Sequence, residues 1–184
     1  RALYPHARNV WIACGPGNNG GDGLIAALAL ARDAPARGQR IAVSWQGDPA
    51  RLPADAAWAW QLAQAAQLQW VDGPPAATDL AIDALLGLGG HARAPAEGSR
   101  LREWMGWLRA TPCPVLCVDL PSGLDADQGH QAPLGNAPTH PGPRHTLALL
   151  TVKPGLFTAV GRDAAGEVWL DTLDCDAGAT PPTA

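Results

Sequence analysis

The 184-residue chain has a single lysine, tyrosine, phenylalanine and methionine, and only 16% of its residues are charged. Its 13 basic residues stand against 17 acidic ones, for a formal charge of −4. They are scattered, so the clustered basic footprint that a nucleic-acid backbone requires is missing and no nucleic-acid partner is expected. No apolar run reaches 18 residues, so neither a membrane-spanning helix nor a membrane partner is expected. Residues 1–8 lack the pattern of a signal or transit peptide, which leads us to expect a cytoplasmic protein. The four cysteines form no C-x-x-C pair, which speaks against a zinc or redox site and for buried thiols.

What remains is apolar and glycine-rich: 47% of residues are hydrophobic and 21 are glycines. That is enough apolar material for one compact domain. Residues 10–14 read as a strand, followed by a glycine loop and then Leu24, Ile25, Leu28 and Ala31 at helical spacing. Residues 41–45 read as a second strand, and Trp58, Leu62, Ala65 and Ala66 as the inward stripe of a second helix. Residues 68–71 and 80–83 give further strands. Ser99 is an expected N-cap for a helix whose stripe is Leu101, Trp104, Met105 and Leu108. The run at 115–118 has the continuous apolarity of a strand buried in a parallel sheet. Residues 146–152 and 167–170 complete the strands, while 126–144 resist assignment. Strands alternating with helices predict a three-layer, Rossmann-like α/β fold with a mostly parallel sheet. One domain over residues 1–174 is expected, with 175–184 as a tail or the start of a linker.

Three apolar strands end in the most unusual pieces of sequence. These are Gly15-Pro16-Gly17-Asn18-Asn19-Gly20-Gly21-Asp22-Gly23, then Asp83 with the loop 87–93, then Asp119 with Pro121-Ser122-Gly123. In a parallel sheet such ends share one edge, where ligands bind. Gly15, Gly17 and Gly20 fit G-x-G-x-x-G, a pattern that lets backbone N–H groups approach a phosphate. An ordinary dinucleotide fingerprint also needs an acid at the end of the second strand, but Trp45 and Gln46 stand there, which disfavours a hydride-transferring dehydrogenase domain. Asp22 is a candidate N-cap for a helix beginning near Leu24. Oxygens from Asn19, Asp83 and Ser122 would make a hard cation site without histidine or cysteine. His6, His130, His140 and His145 read as surface or loop residues, with His91 the exception because it lies in the second glycine loop. Lys153 reads as a solvated strand end.

Taken with Ile82-Asp83-Ala84-Leu85-Leu86-Gly87, Val118-Asp119-Leu120-Pro121-Ser122-Gly123-Leu124-Asp125 and Lys153-Pro154-Gly155, these motifs resemble the NAD(P)H-hydrate epimerase family over residues 10–174. The resemblance implies interconversion of the S and R epimers of hydrated NADH and NADPH in metabolite repair. It implies substrate contacts from Asn18, Asn19, Gly20, Gly21, Asp22, Gly87, Leu88, Gly89, Gly90, His91, Ala92, Arg93 and Asp119. It also implies a potassium ion on Asn19, Asp83 and Ser122. Asp119 is the candidate catalytic acid/base, because inversion at a hydroxyl-bearing carbon needs a proton removed from oxygen and returned. The family further implies helices before the first strand that this chain lacks, which would leave one sheet face partly bare. It implies a homodimer in the longer form and a fused or separate dehydratase. The competing reading from another class is a non-catalytic nucleotide-binding or dimerisation module of the same fold.

Overall fold

A computed structural model describes residues 3–90, 93–135 and 140–175. Seven strands form one sheet: β1 (Asn9–Cys14), β2 (Arg40–Trp45), β3 (Gln69–Trp70), β4 (Leu80–Ala84), β5 (Val115–Val118), β6 (Arg144–Leu149) and β7 (Glu167–Asp171). Their order is β3-β2-β1-β4-β5-β6-β7 and every neighbouring pair is parallel. The chain builds outward from β1 in one direction and then from β4 in the other, so β1 and β4 flank the topological switch point. Cys14 pairs with Ala84, and Asp83 with Cys117, which brings the carboxyl ends of β1, β4 and β5 to one edge.

Alternating strand residues feed two faces. On one face Val10, Ile12, Val43 and Ile82 pack with Leu24 and Ala27 of α1 (Asn18–Arg37) and Ala59 and Ala63 of α2 (Ala54–Ala65). On the other, Trp11, Ala81 and Cys117 pack with Trp104, Met105 and Leu108 of α3 (Arg100–Ala110). Ala148 on that same face packs with Ala164 and Ala165 of the short α4 (Gly161–Ala165). The three-layer expectation holds. Ser99 caps α3 as expected, its Oγ accepting the Arg102 N–H at 3.3 Å.

Two local expectations are corrected. α1 begins at Asn18, capped by Gly17 without a side-chain bond, so Asp22 lies in the second turn and is not its N-cap. Glycine weakens helix propensity, which delays the helix in a sequence reading. Close packing overrides that weakness, because a Cβ on Gly20 would stand 1.9 Å from the Gly15 carbonyl oxygen. In α2 the inward stripe is Ala56, Ala59 and Ala63, while Trp58 and Leu62 point outward. The two helices approach too closely for larger residues, as a Cβ on Gly21 would meet the Ala56 Cα at 3.0 Å.

The histidines are corrected in part. His145 is stacked on Trp169 and its Nε2 lies 2.6 Å from the Tyr4 Oη, while His140 is half-buried beside Arg144. Across β5 and β6, Val115, Cys117, Thr146 and Ala148 are fully buried, but Leu116, Val118, Leu147 and Leu149 on the reverse face are only half-buried. Among the described residues no helix is long and apolar enough to cross a membrane.

Candidate active site

At the switch-point edge lies a cleft of about 660 Å³ lined by Pro16 to Asn19 and Asp22, residues 85–89, Asp119, residues 149–151, Lys153 and Leu173. Its floor is the amino end of α1, where no side chain occupies the cap position. Such an end offers unpaired N–H groups and a positive dipole to an anionic ligand.

Asp119 follows β5 in a left-handed conformation (φ 66°), which few residues other than glycine, Asn and Asp adopt readily. Its backbone N–H donates to the Leu147 carbonyl at 2.8 Å, and its Oδ1 accepts the Leu149 N–H at 3.0 Å. The Lys153 ammonium donates to the same Oδ1 and, at 2.7 Å, to the Leu149 carbonyl. Lys153 is only 6% exposed, so the solvated strand-end reading is overturned. The turn beneath it fits because Gly155 has no Cβ: one there would sit 2.1 Å from the Asp125 carbonyl oxygen. Asp22, at the cleft margin, has its carboxyl pKa raised by burial and then by the nearby Asp119 and Asp55 charges.

Beneath the cleft, Asp83 and Ser122 make a closed set of bonds. The Ser122 hydroxyl donates to Asp83 Oδ1 at 2.5 Å and accepts the Leu86 N–H at 2.9 Å. The Ser122 N–H donates to Asp83 Oδ2 at 2.9 Å, and the Leu85 N–H reaches Oδ1 at 3.2 Å. Burial raises the Asp83 pKa, opposed by the Ser122 and Leu85 hydrogen bonds and by the Arg109 charge. Arg109, itself 9% exposed, holds the Ser122 loop by donating to the Ala132 carbonyl at 2.6 Å and the Ser122 carbonyl at 3.5 Å.

Asn19 stands on the cleft side of the 85–87 turn, where a Cβ on Gly87 would touch its Cβ at 3.3 Å. It is 8% exposed, yet neither its Oδ1 nor its Nδ2 has a partner. A buried amide oxygen without a protein partner is satisfied by an ordered water or an ion. With the Asp83 carboxylate and the Ser122 hydroxyl it would make an oxygen-only donor set of low charge, of the kind that suits a hard monovalent cation. Among the described residues no cluster of three or more His, Cys, Asp or Glu could hold a metal, as a transition-metal centre would require.

The remaining expected contacts divide. Asn18, Asn19, Asp22, Gly87, Leu88, Gly89 and Asp119 line the cleft. Gly20 and Gly21 turn their Cα atoms toward Gly15 and Ala56, so their part is to seat α1. Gly90 closes the 3-10 turn Leu88–Gly90, and Arg93 is exposed away from the cleft lining. His91 and Ala92 lie outside the described residues. Lys153 and Arg109 are the site residues that sequence reasoning missed. The one available signal was that the chain's only lysine sits at the same strand edge as Asp119.

At the end of β2, where a dinucleotide-binding acid would stand, Trp45 packs 4.1 Å from Trp60. Asp48, slightly further on, caps a short 3-10 turn by accepting the Ala50 N–H at 3.0 Å. A parallel sheet with a cleft at its switch point, a helix amino end as floor and a Lys–Asp pair on its wall defines a Rossmann-like small-molecule-binding domain without the hydride-transfer fingerprint. Within that class the chain belongs to the family described as YjeF-related protein N-terminus, whose model matches residues 1–155. It is 36% identical over 184 residues to the bifunctional NAD(P)H-hydrate repair enzyme Nnr of Escherichia coli (strain K12), covering 96% of this chain and 32% of that protein. It is 41% identical over 186 residues to the NAD(P)H-hydrate epimerase of Bordetella pertussis (strain Tohama I), covering 98% of this chain and 74% of that protein. The bifunctional NAD(P)H-hydrate repair enzyme of Leishmania braziliensis is 32% identical over 179 residues, covering 94% of this chain and 30% of that relative. The chain thus spans about a third of the bifunctional relatives.

Proposed function

We propose that this chain interconverts the S and R epimers of hydrated NADH and NADPH, supplying a stereospecific dehydratase that is either fused or separate. The observation that carries the reading is the placement of Asp119 on the wall of a cleft whose floor is the bare amino end of α1. The nucleotide's phosphates meet that helix end, and its hydrated ring lies against Asp119. Asp119 Oδ1 is tied to Leu149 and Lys153, which leaves Oδ2 to remove the ring hydroxyl proton and return it. The names of the Escherichia coli and Bordetella relatives support the substrate class.

A potassium ion held by Asn19, Asp83 and Ser122 belongs to the same proposal. It would supply fixed positive charge beside the turn that carries residues 85–87. Cytoplasmic location and pairing of two copies complete it.

The test starts from one purified epimer of hydrated NADH, with appearance of the other followed by chromatography in potassium and in potassium-free buffer. Expected is acceleration over the spontaneous blank that needs potassium and is lost, by about 100-fold or more, in Asp119→Asn. Asn accepts the left-handed backbone but leaves the buried Lys153 ammonium without its counter-ion, so thermal melting of the variant is the fold control. Near-normal turnover by Asp119→Asn removes the acid/base role. No acceleration by the unaltered chain favours a non-catalytic module instead.

A further inference from the structure

Resting on the epimerase reading, we propose that Lys153 is a second catalytic residue, forming with Asp119 a proton relay between the hydroxyl oxygen and the ring nitrogen of the hydrated nicotinamide. Both residues line the same cleft. The ammonium is held from two sides, by Asp119 Oδ1 and by the Leu149 carbonyl. An ammonium has three N–H donors, and among the described residues the third takes no protein partner.

A purely structural pair is a poor account of this arrangement. β5 and β6 are already joined beyond their paired residues by Asp119 N–H to Leu147 and Leu149 N–H to Asp119. Burying an ammonium merely to reinforce that junction carries a desolvation penalty that an apolar side chain would avoid.

Ring opening balances on this dyad alone. Asp119 Oδ2 takes the hydroxyl proton, and the O–H electron pair becomes the second bond of a carbonyl. The bond from that carbon to the ring nitrogen breaks, and its electron pair stays on nitrogen, which takes a proton from the Lys153 ammonium. Asp119 Oδ2 holds the hydroxyl proton and Lys153 stays neutral until the ring closes, when the ring nitrogen returns its proton to Lys153 and Oδ2 returns its own to the oxygen, so the dyad ends as it began. The aldehyde carbon turns about its single bond, and the reverse sequence closes the ring on the opposite face.

The experiment compares the unaltered chain with Lys153→Ala and Lys153→Arg, using one epimer of hydrated NADH in potassium buffer, with thermal melting of each protein as the fold control. Lys153→Ala is expected to lose about 100-fold or more of the rate above blank. Added methylamine or ethylamine should restore part of it, with the restored rate depending on the pKa of the amine. Lys153→Arg keeps the positive charge but does not release a proton, so it is expected to melt normally and remain slow. Lys153→Arg turning over at the unaltered rate overturns the relay, as does a folded Lys153→Ala that no amine rescues. If Lys153→Ala does not fold, the arginine variant decides. No acceleration by the unaltered chain overturns the epimerase reading, and the relay with it, whereas the other failures leave that reading standing.

Discussion

Ser122 shows how much one side chain carries at this site. Its hydroxyl and N–H satisfy both oxygens of Asp83, and the same hydroxyl anchors the Leu86 amide of the turn against which Asn19 rests. Ser122→Ala removes two hydrogen bonds and leaves a buried carboxylate short of a donor, a loss of about 1–3 kcal/mol. On the proposed cation site it should also raise the potassium concentration needed for half-maximal thermal stabilisation, read from melting curves against choline as control. An unchanged potassium midpoint removes Ser122 from the donor set. Asp83, Asp119 and Ser122 were legible in the sequence because polar residues ending apolar strands stand out. Lys153 was not, because its meaning depends on a partner 34 residues away and a lysine after a strand ordinarily faces water. Arg109 was hidden for a similar reason: it follows Leu108 on an amphipathic helix, and its nearer carbonyl partner, Ala132, lies in the segment 126–144 that the pattern left unassigned.

Among the elements, α3 depends on a residue outside it. Its carboxyl end is met by the buried guanidinium of Arg144 at the start of β6, which donates to the carbonyls of Leu108 at 2.9 Å, Thr111 at 3.1 Å and Cys113 at 3.2 Å. The last carbonyls of a helix have no partner within it, so this side chain replaces the usual glycine cap. Arg144→Leu should therefore destabilise the fold by at least about 2 kcal/mol, since each orphaned buried acceptor costs about 1–3 kcal/mol. Denaturant unfolding at neutral pH measures it, and a midpoint within error of the parent refutes the capping role. Element existence was well marked in the sequence: β1, β2, β4, β5, β7 and α3 fall where periodicity and breakers place them. The failures were of facing and onset. Periodicity could not show that α2 turns Trp58 and Leu62 outward, because the decisive constraint is the approach of Gly21 to Ala56 on another helix. The early start of α1 is likewise decided by packing on Gly15, not by helix propensity.

For the molecule as a whole, acid stability follows from its buried polar interior. His140 has its pKa pushed down to about 4 by burial and by the Arg144 and Arg109 charges. The unfolded chain protonates this ring near 6.5 while the folded one resists to about 4. In that window the unfolded state binds the extra proton, so this contribution to stability is present above the window and lost as pH falls through it. Asp22 and Asp83, with raised pKa values, act in the opposite sense. The histidine term is therefore read as the difference between the parent and His140→Asn, which should lose less stability from pH 7 to pH 4 in denaturant titrations. Equal losses would assign the acid sensitivity elsewhere. The fold class and the strand-end site were visible at this scale in the alternation of strands and helices. The half-burial of Leu116 and Leu147 was not legible, because nothing local to either residue says what packs on that face.

The chain's single lysine lies inside the cleft. Selective nitrogen-15 lysine enrichment would therefore place one side-chain resonance in the whole spectrum, and that resonance would come from the cleft wall. Acylating or imine-forming reagents would find one side-chain amine, guarded by its carboxylate partner. Bound nucleotide could then be followed as protection of a unique atom, without any engineered label.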